Sequence, residues 1–237
     1  MTESASWGLL REVMAQHAPI RFWLRDDDAV EPGVALDRLL HLTAKFYVPV
    51  ALAVIPAFAD EALGQRLKEM PHATPVIHGW SHQNHALGGE KKCELKNSPT
   101  IQRDLTQSLA RMEQLFGKTL LPMLVPPWNR IDDLLLPHLA SLGFTALSAF
   151  GVKPRCASVP IVNTHIDIMD WRGPRGSRSH AALIAEIVDR IKISAEPIGL
   201  LTHHLVHDEG AWEFLEQIFQ ATGGQWMRAG DLIAHDR

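Results

Sequence analysis

The ten residues VIHGWSHQNH, Val76 to His85, decide how the rest of the chain is read. Val76 and Ile77 form a short apolar run of the kind that ends a strand, and three histidines follow within eight positions. His78 and His82 are four apart, a spacing at which two imidazoles converge on one metal ion when the backbone between them turns helically. Ordinary helical faces produce the same spacing, so the pair gains meaning only beside a further ligand. Candidates come from Asp26-Asp27-Asp28, three consecutive carboxylates that follow the apolar run Phe22-Trp23-Leu24. Like charges this close repel one another unless a cation or a pKa shift relieves them. Two histidines and one carboxylate make a metal site of catalytic type, with a coordination position left open.

Working outward, helix-like and strand-like segments alternate. Residues 5–17 read as an amphipathic helix stopped by Pro19, and 20–25 as a strand ending in the acidic triplet. A helix is expected over 33–46, and the continuous apolar run 48–56 has the character of a buried parallel strand. A short helix over 60–69 and a strand over 74–78 lead into the histidine cluster, and residues 86–98 read as a Gly- and Lys-rich loop beside it. Ser98 as N-cap and Pro99 in first position open a helix to Phe116. Strands are then expected at 121–125, 144–150, 160–166 and 197–203, with a short one near 225–227. Helices are expected at 132–142, 179–193 and 210–221. This alternation predicts an α/β fold, a distorted (β/α) barrel of about seven parallel strands in a single domain spanning 1–237. Barrel chemistry sits at the carboxyl ends of strands, where Asp26–Asp28, His78–His82, Pro126–Arg130, Asp167–Trp171 and His203–His207 all fall.

Composition narrows the class. Of 237 residues, 46% are hydrophobic and 21% charged, enough apolar material for a sizeable core. A net charge of -4 argues against a nucleic-acid partner. Cys93 and Cys156 are far apart in polar contexts, which suits reduced thiols rather than a disulfide framework. The opening MTESASWGLLREVM lacks a basic segment followed by an apolar one, and no stretch reaches eighteen apolar residues. A cytoplasmic protein without a membrane partner is therefore expected, its oligomeric state left open.

The five clusters, taken together and in order, resemble the motifs of the polysaccharide deacetylase (NodB-homology) family, carbohydrate esterase family four. The resemblance runs from about Ile20 to the C-terminus and is strongest in HGWSH, which implies His78 and His82 as metal ligands. Paired aspartates open the family pattern, the first a general base and the second a ligand. Here RDDDA offers Asp27 and Asp28, with Ala29 in place of the usual glycine and the register uncertain by one residue. The third motif is matched by Pro126, Pro127 and Trp128, but Val125 stands where the family has an arginine that holds the base. That role is vacant or passes to Arg130 or Arg25. The sequence DIMDW matches the aspartate-before-tryptophan motif with Asp167 or Asp170 ahead of Trp171, and Leu201-Thr202-His203 matches the Leu-x-His motif, with His204 beside it.

The resemblance implies a metal-dependent deacetylase. Asp28, His78 and His82 hold a divalent ion, most readily zinc, with cobalt, manganese or nickel admissible. Asp27 takes a proton from water, a protonated His203 returns one to the leaving amine, and Asp167 or Asp170 orients that imidazole. Trp128, Arg130, Trp171 and His204 border the substrate, an acylated sugar of small or oligomeric size. The loop Arg172–Arg178, with three arginines, offers a grip for an anionic group. Two competing expectations stand beside this one: hydrolysis of a small amide unrelated to sugars, and a non-catalytic glycan-binding barrel.

Overall fold

The computed structural model describes residues 3–17, 19–152, 156–173 and 176–235. Seven parallel strands form one curled sheet in the order β5-β4-β3-β2-β1-β7-β6. The strands are β1 (Phe22–Ala29), β2 (Val50–Val54), β3 (Ala73–His78), β4 (Met123–Val125), β5 (Ala146–Leu147), β6 (Ile166–Asp167) and β7 (Ile198–Thr202). Helices α1 (Glu3–Gln16), α2 (Val34–Lys45), α3 (Glu61–Lys68), α4 (Pro99–Phe116), α5 (His180–Ile193), α6 (Glu209–Ala221) and α7 (Ala229–His235) complete the fold. A distorted (β/α) barrel is the architecture that the alternation of segments predicts.

Local chemistry explains the helix boundaries. Ser98, Asp60, Ser179 and Asp208 each accept a backbone N–H of the helix they precede. Helix α2 buries Leu36, Leu39, Leu40 and Thr43, a stripe at helical spacing laid against the sheet. The sheet separates two apolar clusters by the period-two alternation of strand side chains. Leu24, Leu52, Val54, Ile77, Leu124 and Leu200 point outward beneath the helices. Trp23, Ala51, Ala53, Val76, Met123, Val125 and Ala146 point inward, where Leu232 and Ile233 of α7 also pack. Small inner residues make room for Trp23: a Cβ on Gly199 would lie 2.5 Å from its Nε1.

Three expectations are corrected. Strand β1 does not stop before the acidic triplet but carries it, running to Ala29. The helix expected over 132–142 is a short 3₁₀ segment, Asp133–His138, with Pro137 inside it. The strands expected at 144–150 and 160–166 shrink to two residues each. Residues 160–168 are nonetheless bonded on both sides. Pro160, Val162 and Thr164 bond to the β5 side through Leu147 and Ala149, while His165 and Ile168 donate to Gly199 and Leu201 of β7. This segment draws the two edges of the sheet together. Near 225–227 the chain makes a single bridge, Phe22 to Trp226, and α7 then forms where no element was expected. Among the described residues, no helix is long and apolar enough to cross a membrane.

Candidate metal centre and its cleft

An irregularity in β1 builds the site. Asp26 pairs with Leu52 and Ala29 with Val54, so three steps on β1 oppose two on β2. That is a bulge, and Asp28 absorbs it at φ 73°. In a regular strand Asp27 and Asp28 would face opposite sides of the sheet. With the bulge, both line one cleft of about 500 Å³ at the carboxyl ends of the strands, together with His78, His82, Lys92, Trp128, Asn129, Arg130, Asp167, Trp171 and His203. Five non-glycine residues among those described have positive φ, and four of them (Asp28, His82, Trp128 and Asn129) line this cleft. Concentrated backbone strain of this kind marks a place where side-chain direction outweighs conformational cost.

Asp28, His78 and His82 converge. Their ligand atoms all lie within 4.8 Å of one another. Asp28 Oδ1 is 3.1 Å from His78 Nε2 and 3.4 Å from His82 Nε2. His78 Nδ1 is 2.9 Å from the Val125 carbonyl, which accepts its proton and leaves Nε2 as the nitrogen turned towards Asp28. Burial alone would raise the Asp28 carboxyl. Its bond to His78 and the charges of His78, His203 and His82 outweigh that and hold it well below the usual carboxylate range. Burial pushes His82 down, reinforced by His78. Two imidazoles and one ionised carboxylate, one imidazole already oriented by the Val125 carbonyl so that Nε2 faces the cluster, fit a divalent ion.

Arg25 takes the vacant arginine role at Asp27. It is fully buried and donates from Nε to Asp27 Oδ1 at 2.9 Å and from Nη2 to Oδ2 at 3.0 Å. The rest of its guanidinium reaches Ser148 Oγ, the Ser148 and Ala149 carbonyls, and Asn129 Oδ1 at 2.6 Å. Every N–H that the fork offers to the β4 and β5 loops is thereby engaged, which suits a charge held away from water. Arg130 instead donates to the Lys92 carbonyl at the cleft rim.

Asp26 points the other way, as strand alternation requires. Its carboxylate accepts Thr202 Oγ1, the His204 backbone N–H and His204 Nδ1, and both side chains are essentially inaccessible. Burial works against the charge of each. Their mutual attraction wins, lowering the Asp26 carboxyl and raising the His204 imidazole. His204 is therefore turned away from the cleft. His203 lines the cleft, edge-on to Trp171 at 4.7 Å, and its buried Nδ1 has no hydrogen-bond partner among the described residues. Of the two aspartates near Trp171, Asp167 lines the cleft, accepting Trp171 Nε1 at 2.8 Å and the Met169 N–H at 3.0 Å. Burial raises its carboxyl, partly offset by His203. Asp170 caps its own loop by accepting the N–H groups of Arg172 and Gly173.

One supporting residue escaped sequence reasoning. Glu94, 1% exposed, accepts Trp80 N–H, Ser81 N–H and Ser81 Oγ, and so holds the turn between His78 and His82. Gly79, at φ 59°, makes the approach feasible, since a Cβ there would lie 2.0 Å from Glu94 Oε2. The readable signal was a carboxylate set between apolar Cys93 and Leu95 in an otherwise basic loop. The three-arginine grip is not assembled as expected: Arg178 is bonded to Glu186 and to the Asp167 carbonyl, and Arg175 lies outside the described residues.

No family model and no curated protein matches the chain by sequence. Solved structures do match it by fold. One is a polysaccharide deacetylase from Mycobacterium smegmatis, at TM-score 0.65 and 18% identity over 86% of this chain and 76% of that one. Another is the Bc1960 peptidoglycan N-acetylglucosamine deacetylase, at 0.61 and 15% over 92% and 90%. A third is a family 4 acetyl xylan esterase from Clostridium thermocellum in complex with a cobalt ion, at 0.58 and 14% over 90% of each chain. The class that fold and cleft define is a distorted (β/α) barrel with an Asp-His-His cluster at its mouth. More narrowly, the fold is that of the polysaccharide deacetylases of carbohydrate esterase family four.

Proposed function

We propose that this protein is a metal-dependent deacetylase that removes an N-acetyl group from a sugar or sugar derivative. The observation that carries the reading is the convergence of Asp28, His78 and His82 beside an Arg25-held Asp27, in one cleft at the strand ends. Asp28, His78 and His82 would hold the ion, which when bound polarises the acyl oxygen and acidifies water. Zinc suits this donor set, and cobalt, manganese and nickel are compatible with it. The cobalt complex of the acetyl xylan esterase supports a bound metal ion in this fold.

The chain's own groups supply the proton transfers. Asp27 has both oxygens oriented by Arg25, which leaves its remaining lone pairs for a water proton. His203, across the cleft, is the group placed to give a proton to the departing amine. Trp171 and Asp167 would position it: the carboxylate accepts the indole N–H, and indole and imidazole meet in a T-shaped contact. Trp128 packs against His82 in a tilted contact, ring centroids 4.3 Å apart, and with Trp171 forms apolar walls for a sugar ring. Arg130 borders the substrate from the rim.

Acetate release from N-acetylated oligosaccharides, with protein stripped of metal and then resupplied with zinc, tests the reading. Metal-restored release that Asp27→Asn abolishes is the expected result. Stoichiometric metal binding without acetate from any sugar would turn the assignment to a non-sugar amide.

A further inference from the structure

Two cations border the cleft without a carboxylate partner. Lys92 Nζ lies 5.7 Å from the Trp128 ring centroid, above the aromatic wall that also packs on His82. Arg130 donates from Nη1 to the Lys92 carbonyl at 2.9 Å, tying the two basic residues to one rim. Neither forms an ion pair with any described residue. Two basic side chains of the neighbouring loops are neutralised, Lys96 by Glu90 and Arg178 by Glu186. Inside the cleft, Asp27 is balanced by Arg25, and Asp28 is committed to the two histidines. Lys92 and Arg130 thus stand at the rim of the cleft with no carboxylate of the described residues within ion-pair distance.

We infer that the preferred substrate carries an anionic substituent, a carboxylate or a phosphate, gripped by Lys92 and Arg130 while its acylated amine faces Asp28, His78 and His82. The inference rests on the deacetylase reading and adds the substrate's charge to it. An arginine fork meets a carboxylate or phosphate through two parallel bonds, and a lysine adds a mobile point charge. The Trp128 ring lies beneath the Lys92 ammonium and holds it over the cleft by a cation–π contact. A cleft of about 500 Å³ holds one or two sugar rings with such a group, within the range usual for compact ligands.

The test compares kcat/KM for acetate release by zinc-loaded protein on three substrates. They are neutral N,N′-diacetylchitobiose, its 1-phosphate, and the N-acetylglucosaminyl–N-acetylmuramic acid disaccharide with its carboxylate. An anionic-to-neutral ratio of about tenfold or more is expected at low salt, shrinking as ionic strength rises. In Lys92→Glu, an exposed position where folding is not at risk, the ratio should fall below one. The charged substrate with the larger ratio identifies the anion. A ratio near one in the unmodified protein, or a ratio unchanged in Lys92→Glu, overturns the inference while leaving the deacetylase reading standing. Absence of acetate from all three substrates overturns both.

Discussion

The two walls of the cleft are built differently. On the β1–β4 side nearly every functional atom is tied to backbone or to a buried charge. His78 is fixed by the Val125 carbonyl, Asp27 by the Arg25 fork, and the His78–His82 turn by Glu94. On the β6–β7 side, His203 has an unpartnered Nδ1 and leans on the exposed edge of Trp171. On the proposed reading, preorganisation is thus concentrated where an ion and a base would hold their geometry. The polar groups of the first wall are satisfied, and on the second His203 Nδ1 has no hydrogen-bond partner among the described residues.

Asp27→Asn strikes the first wall hardest. With the base gone but the ligands intact, kcat should fall by about 10²–10⁴ while bound metal is unchanged. If Asp27→Asn loses the metal and Asp28→Asn keeps it, the two aspartates have exchanged roles. The neighbouring histidines sharpen the contrast next. His204→Ala leaves Asp26 buried without its partner and should cost about 3–5 kcal/mol in a denaturant melt. His203→Ala should leave the melt nearly unchanged and remove the basic limb of the pH–rate profile. Reversal of that pattern would place the acid on the other histidine.

Glu94→Gln is a gentler probe, since the shape is kept and the charge lost. Metal affinity measured by titration calorimetry should drop about 10- to 100-fold, as is usual for groups that orient ligands. No change would mean that the turn holds itself. The smallest effect is expected from His207. Burial, helped by His204 and His203 and opposed by Asp26 and Asp208, lowers its pKa to about 4. Between that value and the unfolded value near 6.5, the unfolded chain binds a proton that the folded one does not. Stability should therefore decline as pH falls, by about 1 kcal/mol from pH 6.5 to 5.5. His207→Gln should flatten this slope, and an unaltered slope would assign the acid sensitivity elsewhere.

Much of this architecture was legible in the chain. Val50–Val54 reads as a parallel strand because every one of its residues is apolar, and all are buried. His78 and His82 stand out because they flank a glycine after a strand. What stayed hidden depends on register and distance. The choice among Asp26, Asp27 and Asp28 turns on a bulge set by the spacing of β2, which no local pattern encodes. Arg25 could be named as one alternative, yet its bonds to Ser148 and Asn129 span more than a hundred positions. The short edge strands β5 and β6 escaped correct bounds because pairing there is shared among single bridges rather than a ladder.

The bulge at Asp28 has a consequence for how this chain can change. A strand reads its residues as even and odd, and the bulge breaks that count in β1. Loss of a single residue there would restore the rhythm and leave only one carboxylate on the cleft face between Asp26 and Ala29. Nothing in the composition would look different, and most of the barrel would still close. Length at this point is therefore as strict a requirement as identity: with one residue fewer, the cleft face has room for only one of the two carboxylates.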